Sequence, residues 1–128
     1  MIAHAGLVVG NYEKGKEFYT TILAPVGYKL YMNLPEYKVV GFSDAAHSSF
    51  WLSERGGPVP GHIAFAAKSK AEVDEFYKVA LAAGGTDNGA PGYRENYSPG
   101  YYAAFIHDVD KNNVEVVWYD EVKEAEKK

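Results

Sequence analysis

The tripeptide Glu-Phe-Tyr occurs twice in this chain, at residues 17–19 and 75–77, which are 58 positions apart. A true internal repeat keeps its offset over tens of residues. Identical residues recur at the same offset in four further pairs, namely His4/His62, Leu23/Leu81, Ala24/Ala82 and Gly27/Gly85. We therefore interpret the chain as two copies of one structural unit, and this duplication limits the possible folds more than any other feature.

The two copies fit into one domain, because 128 residues can bury one sizeable core but not two large independent ones. The Gly/Pro-dense segment 55–61 is the predicted linker between module one, about 1–54, and module two, about 62–120. Residues 121–128 are charged almost throughout, and we expect them to form a frayed helix or a disordered tail.

Apolar periodicity predicts the order βαβββ in each module. Ser69, followed three residues later by Glu72, forms a capping-box pattern that starts the second helix. The predicted elements of module one are strand 2–9, helix 13–24 and strands 28–33, 37–43 and 49–53. Those of module two are strand 62–67, a helix to about residue 83, a Gly/Pro-rich stretch 86–100, and strands 101–107 and 114–119.

Composition excludes several classes of function. A net charge of −4 with no long basic run argues against nucleic acid and anionic membrane as partners. The chain has no cysteine, so any metal must be held by nitrogen and oxygen ligands. No secretory signal or long apolar stretch is seen, and we expect a soluble, cytoplasmic protein with a small-molecule or protein partner. With 11 Tyr, 6 Phe and 2 Trp, the chain is rich in aromatic residues, which either line a binding surface or belong to the core and the ordinary surface.

Three residues suggest a metal site. His4 and His62 occupy equivalent places on the first strands of the two modules, and a two-fold arrangement would bring them to one cleft. Strand alternation puts Glu115 on the face opposite Val114 and Val116, away from the helices. Two imidazoles and one carboxylate suit a divalent ion such as Fe, Mn, Zn, Ni or Co and leave positions free for substrate and water.

The chain resembles the vicinal oxygen chelate superfamily of glyoxalase I, extradiol dioxygenases and bleomycin-resistance proteins. The features that carry the resemblance are the paired βαβββ modules, a histidine near the start of each, Phe-Tyr on each helix, and the D-x-D-x-N-x-x-E pattern at Asp108, Asp110, Asn112 and Glu115. It implies an α+β fold in which two tandem βαβββ modules form a curved mixed sheet around a concave cleft. It also implies a homodimer, with modules paired within a chain or exchanged between chains.

In that superfamily the first and last strands of each module supply the metal ligands. Here those positions are His4, His62, Glu115 and, in module one, Trp51, which cannot bind a metal. The resemblance therefore departs from glyoxalase I and matches the two-histidine, one-glutamate set of the extradiol dioxygenases. His47 is near the missing position, on a predicted loop, and is an alternative fourth ligand.

Further site residues are predicted in and near the Gly/Pro-rich stretch, because loops on a rigid sheet often contact substrates. Arg94 is a candidate for holding a carboxylate or phosphate, or else it forms a surface pair with Glu95. Tyr97 or Tyr101 is a candidate donor of a proton or hydrogen bond. Trp51 is a candidate stacking surface for a planar substrate, and His107 is expected at a strand end or behind the site.

Two functions follow from these residues. The first is a metal-dependent lyase, isomerase or extradiol-type dioxygenase acting on a small molecule through two adjacent oxygens, with Glu115 and Tyr97 as catalytic residues. The alternative is a metal-free protein that binds or sequesters a small molecule, as the bleomycin-resistance proteins do.

Overall fold

The computed structural model describes residues 2–45, 47–56 and 59–126. Gly57 and Pro58 of the predicted linker, and Lys127 and Lys128 of the predicted tail, lie outside the described residues. The first module contains β1 (Ala5–Val9), α1 (Tyr12–Leu23), β2 (Lys29–Leu34), β3 (Val39–Ser43) and β4 (Phe50–Glu54). The second contains β5 (His62–Ala66), α2 (Lys70–Ala82), β6 (Thr86–Tyr93), β7 (Tyr101–His107) and β8 (Asn113–Tyr119), followed by α3 (Glu121–Glu126).

Each module forms its own four-stranded mixed sheet. The strand orders are β1-β4-β3-β2 and β5-β8-β7-β6, with a parallel pair at β1/β4 and β5/β8 and antiparallel pairs elsewhere. The two sheets have the same topology, as the repeat requires. The predicted α+β class and the paired βαβββ modules are thus confirmed.

The helices begin and end where the sequence predicts. Asn11 caps α1 by accepting a hydrogen bond from the Lys14 backbone N–H, and Ser69 caps α2 in the same way from Glu72. After α1, a 3₁₀ turn at Ala24–Val26 ends at Gly27, which has a φ of 84°. This left-handed conformation is the one that glycine adopts without steric cost.

The main core lies between the two sheets and the helices, and it draws alternate residues from the strands. Phe50 of β4 and Phe65 of β5 meet edge to face with ring centroids 5.0 Å apart, so the sheets contact each other through this apolar side. Tyr19 and Phe76 of the repeated tripeptides are almost fully buried in the core, and Phe18 and Tyr77 pack against it. The repeated tripeptides therefore pack the two helices against the core.

The turn between β7 and β8 joins the modules by hydrogen bonds. The Tyr19 hydroxyl donates to Asp108 Oδ2 at 2.6 Å, and the Asn112 side-chain amide donates to the Val8 carbonyl at 3.0 Å. The Gly61 backbone N–H donates to Asn112 Oδ1 at 2.7 Å. Two residues of the D-x-D-x-N-x-x-E pattern therefore serve to hold the modules and the linker end together.

Two predicted segments differ from the structure, and the tail adopts one of its two predicted forms. Residues 86–93 were predicted as part of an irregular stretch but form strand β6, whose pairing with β7 shifts register between Asp87 and Gly89 and again before Gly92. These shifts break the alternation by which a strand is recognised. Strand β1 starts at Ala5 rather than at residue 2, and residues 121–126 of the tail form α3.

The outer edge of the first sheet is open to solvent. Strand β2 exposes Leu30, Tyr31 and Met32 at 43%, 51% and 40%, and its pairing with β3 is irregular between Leu30 and Met32. Among the described residues, no helix is long and apolar enough to span a membrane.

Candidate functional site

Glu115 is a buried carboxylate in the middle of β8. As the alternation predicts, Val114 and Val116 enter the main core, whereas Glu115 lies on the opposite face. That face, called the open face below, carries a small second apolar cluster of Ala103, Phe105 and Val117, with Tyr101 packed against it. Glu115 is only 3% exposed. A carboxylate in such surroundings must be hydrogen-bonded or bind a cation to offset its desolvation.

His62 supplies one partner of this carboxylate. It stands at the start of β5, the strand next to β8, and its side chain is 50% exposed. Its Nε2 lies 3.1 Å from Glu115 Oε1, and its Nδ1 lies 3.1 Å from the Asn113 carbonyl oxygen. The carbonyl fixes Nδ1 as the nitrogen that carries a proton and orients the ring, so Nε2 is directed toward Glu115.

Tyr101 supplies the other partner. Its hydroxyl donates a hydrogen bond to Glu115 Oε2 from β7. Its ring packs against those of Tyr97 and Tyr119, with centroid distances of 5.2 and 5.5 Å and nearly perpendicular planes. Burial raises the pKa of the Tyr101 hydroxyl, and the neighbouring Glu115 carboxylate raises that pKa further. The hydroxyl therefore stays a donor at neutral pH.

The pair His62 and Glu115 has the spacing of two ligands of one metal ion. Two ligand atoms that are each about 2.1 Å from an ion and at right angles to each other are about 3.0 Å apart. The observed separation of Nε2 and Oε1 is 3.1 Å. The bond from Nδ1 to a backbone carbonyl is also the arrangement that orients metal-binding histidines.

His4 is near this pair but does not complete it. It precedes β1, is exposed, and lines with His62 a cleft of about 440 Å³ between the starts of β1 and β5. Within residues 2–45, 47–56 and 59–126, no three His, Asp or Glu side chains are grouped closely enough to hold a metal ion. The described chain thus presents two of the three predicted ligands together and His4 apart from them.

Trp51 occupies the position in β4 that Glu115 occupies in β8. Gly6 pairs with Trp51, and Ala64 pairs with Glu115 at the same place in the second sheet. Trp51 also lies across Gly41 of β3, where a Cβ atom would come within 2.8 Å of the indole ring. The indole ring therefore covers Gly41, and the stacking role of Trp51 stays a prediction.

Arg94 and Tyr97 follow β6. The Arg94 guanidinium lies 5.2 Å from the centroid of the Phe105 ring and donates to the backbone carbonyls of Ala90, Gly92 and Ala103. These contacts stabilise the irregular part of β6. That Arg94 also binds a carboxylate or phosphate of a substrate stays a prediction. Tyr97 is 58% exposed beside Tyr101 and is free to meet a ligand.

The other two histidines lie elsewhere. His47 is exposed in the loop between β3 and β4, and its backbone carbonyl accepts a hydrogen bond from Ser43. His107 ends β7, as expected, and pairs in register with Asn113. Sequence reasoning missed Asn113, whose contribution is a backbone carbonyl and leaves no side-chain signal.

A second cavity, of about 480 Å³, lies on the helix side of the fold beside α1 and the β7–β8 turn. Its buried carboxylate, Asp108, already accepts four hydrogen bonds, from the Tyr19 hydroxyl, the Asp110 and Asn112 backbone N–H groups and the Asn112 side chain. We place the candidate site at Glu115, because among the residues that the structure describes it is the buried carboxylate that meets an exposed imidazole.

Comparison with known proteins identifies the family. The model of the glyoxalase/bleomycin resistance protein/dioxygenase superfamily matches residues 1–116. The chain belongs to this superfamily. No curated protein sequence matches it.

Solved structures of the superfamily share the fold. A glyoxalase/bleomycin resistance protein from Albidiferax ferrireducens T118 is 24% identical with a TM-score of 0.79, covering 91% of this chain and 97% of the other. Lactoylglutathione lyase from Agrobacterium tumefaciens is 23% identical with a TM-score of 0.69, covering 92% of both chains. A glyoxalase-related enzyme from Fulvimarina pelagi is 18% identical with a TM-score of 0.67, covering 92% of this chain and 87% of the other. At these identities the likeness establishes the architecture, and the reaction has to be argued from the site.

Proposed function

We propose that this superfamily member is a divalent-metal-dependent enzyme acting on a small molecule with two neighbouring oxygens. His62 and Glu115 hold the ion, and His4 is the third ligand. The observation that carries the proposal is the 3.1 Å separation of His62 Nε2 and Glu115 Oε1, with Glu115 buried on the open face.

Residues around His62 and Glu115 have supporting roles in the proposed site. The Asn113 backbone carbonyl orients His62. The apolar cluster of Ala103, Phe105 and Val117 keeps water from the carboxylate and so strengthens its electrostatic interactions. Tyr97 is the proposed catalytic donor, since its ring packs on Tyr101 while much of its surface faces solvent. A bound ion would supply Lewis-acid stabilisation of negative charge on the substrate oxygens.

The proposal covers two reaction classes, which Trp51 helps to separate. A lyase or isomerase needs a base to move a proton, and Trp51 replaces the carboxylate at the module-one position. An extradiol-type dioxygenase uses two histidines and one glutamate, which is the set proposed here, and Trp51 would then stack on a planar substrate. Iron with oxygen consumption on catechols favours the dioxygenase, whereas Ni, Co, Zn or Mn with turnover of hemithioacetals favours the lyase.

The second candidate function is metal-free binding of a small molecule. It is favoured by the position of His4, which is not grouped with His62 and Glu115 within the described part of the chain. In that case the histidines are hydrogen-bonded residues of an aromatic-lined cleft.

Metal stoichiometry tests the proposal. Metal-free protein is equilibrated in turn with Fe(II), Mn, Zn, Ni and Co, and bound metal is counted after desalting. Wild type should retain about one ion per chain, and His62→Ala and Glu115→Gln should retain almost none, because each removes one of few ligands. Glu95→Gln, at a surface carboxylate paired with Lys123, is the matched control and should bind as wild type does.

A wild type that retains no metal contradicts the enzyme proposal. Unchanged binding of aromatic ligands by the doubly substituted His4→Ala, His62→Ala protein would then support the metal-free function.

A further inference from the structure

Glu115 is held at both of its oxygens by different side chains. Oε1 faces His62 Nε2 at 3.1 Å, and Oε2 accepts the hydrogen bond of the Tyr101 hydroxyl. The last torsion of a glutamate side chain has a broad energy profile and does not fix the carboxylate plane by itself. The Tyr101 hydroxyl at Oε2 and the imidazole beside Oε1 therefore set that plane.

Tyr101 is itself fixed well enough to do this. It belongs to β7, which pairs with β8 along its whole length, and its backbone register places it opposite Tyr119. The rings of Tyr97 and Tyr119 both pack against it in nearly perpendicular orientation. The hydroxyl consequently approaches Glu115 from one direction only.

We propose that Tyr101 is a positioning residue: by occupying Oε2, it leaves Oε1 as the oxygen that Glu115 presents beside His62 to a divalent cation. The inference rests on the proposed function and adds a residue to it. This role differs from the substrate contact predicted for Tyr101, because the hydroxyl proton is donated to the Glu115 carboxylate.

The test is the affinity of Tyr101→Phe for Co(II), measured by isothermal titration, together with the visible absorption of the bound ion. Phenylalanine keeps the ring in contact with its two aromatic neighbours and removes only the hydroxyl. Loss of a hydrogen bond that orients a ligand typically weakens metal binding about 10–100-fold, and we expect a loss of this size. The Co(II) absorption bands should also change in position and intensity, because the carboxylate becomes free to turn.

Tyr119→Phe is the matched control. Tyr119 packs its ring on Tyr101 but is 49% exposed, so this variant keeps the stacking and removes a hydroxyl on the solvent side. Its affinity and spectrum should equal those of wild type. Circular dichroism confirms that both variants are folded.

Each other result overturns the inference in a distinguishable way. Equal Co(II) affinity and identical spectra for wild type and Tyr101→Phe overturn it and leave the proposed function standing. Equal losses in Tyr101→Phe and Tyr119→Phe overturn it too, because the effect then does not come from the hydroxyl on Glu115. Absence of Co(II) binding by wild type overturns both the inference and the proposed function.

Discussion

At the level of single residues, two buried carboxylates show how partners offset the free-energy cost of burying charge. Burying an ionised carboxylate without partners costs far more free energy than a fold of this size can spare. Glu115 and Asp108 are both nearly inaccessible, yet their neighbours differ. Asp108 accepts four hydrogen bonds and joins two modules, whereas Glu115 accepts one from the Tyr101 hydroxyl and faces an exposed imidazole. The carboxylate with fewer donors is the one available for chemistry.

Removing the Tyr19 hydroxyl should destabilise the protein. Tyr19→Phe takes one donor from the buried Asp108, and we expect a loss of about 1–3 kcal/mol in the free energy of unfolding, measured by urea denaturation. Tyr12→Phe is the control, because the Tyr12 hydroxyl is buried without a hydrogen-bond partner among the described residues, so its removal should be neutral or stabilising. Equal losses in the two variants would contradict this account of the Asp108 turn.

Tyr19→Phe should also change how the free energy of unfolding depends on pH. Burial, together with the nearby Asp108 carboxylate, raises the pKa of Tyr19 well above its ordinary value of 10.0. Above pH 10 the unfolded chain therefore loses a proton that the folded chain keeps, and the free energy of unfolding falls as pH rises. Tyr19→Phe lacks this group, so its stability should fall less steeply between neutral pH and pH 11.

At the level of elements, the helix boundaries could be predicted from local sequence, whereas the irregular strand β6 could not. Asn11, Ser69 and Gly27 mark helix boundaries because each satisfies backbone groups in a known way. Strand β6 escaped prediction because its two register shifts depend on pairing with β7 and on the Arg94 bonds to its carbonyls. Contacts between distant segments, which leave no periodic pattern in the sequence, fix that strand.

Capping of α2 can be tested directly. Ser69→Ala removes the acceptor of the Glu72 backbone N–H and should lower the free energy of unfolding by about 0.5–2 kcal/mol. Thr21→Ala is a suitable control, since Thr21 is exposed on α1 and its hydroxyl only bonds back to the Glu17 carbonyl. A Thr21→Ala variant that is destabilised as much as Ser69→Ala would contradict a specific stabilisation of α2 by the Ser69 cap.

At the level of the whole molecule, the duplication predicted the topology and part of the site. The register of the repeat and the strand alternation together predicted that His62 and Glu115 share one cleft. In the structure these two side chains are in contact. The partnership of Tyr101 with Glu115 was not predictable, because it depends on the β7–β8 register and on two long side chains meeting across it. The place of His4 depends on how modules pair, which the sequence alone leaves undecided.

The homodimer that the superfamily resemblance implies would allow His4 to come from the partner subunit, and a heterodimer of two variants tests this arrangement. His4→Ala and His62→Ala chains carrying different affinity tags are co-expressed, and the doubly tagged dimer is purified. If His4 and His62 of one site come from different subunits, the heterodimer keeps one intact site and should bind about one ion per dimer, whereas each homodimer should bind none. No metal in the heterodimer would place both histidines of a site in the same chain.

The exposed edge strand β2 has a consequence for how the protein behaves at high concentration. A long, regular, apolar edge invites pairing with another sheet and so leads to aggregates. Here the irregular pairing between Leu30 and Met32 interrupts the edge, Lys29 adds a charge at its start, and Pro35 follows directly after its end. A substitution that made β2 regular, or replaced Lys29 by an apolar residue, would therefore remove a safeguard against edge-to-edge assembly without touching the site.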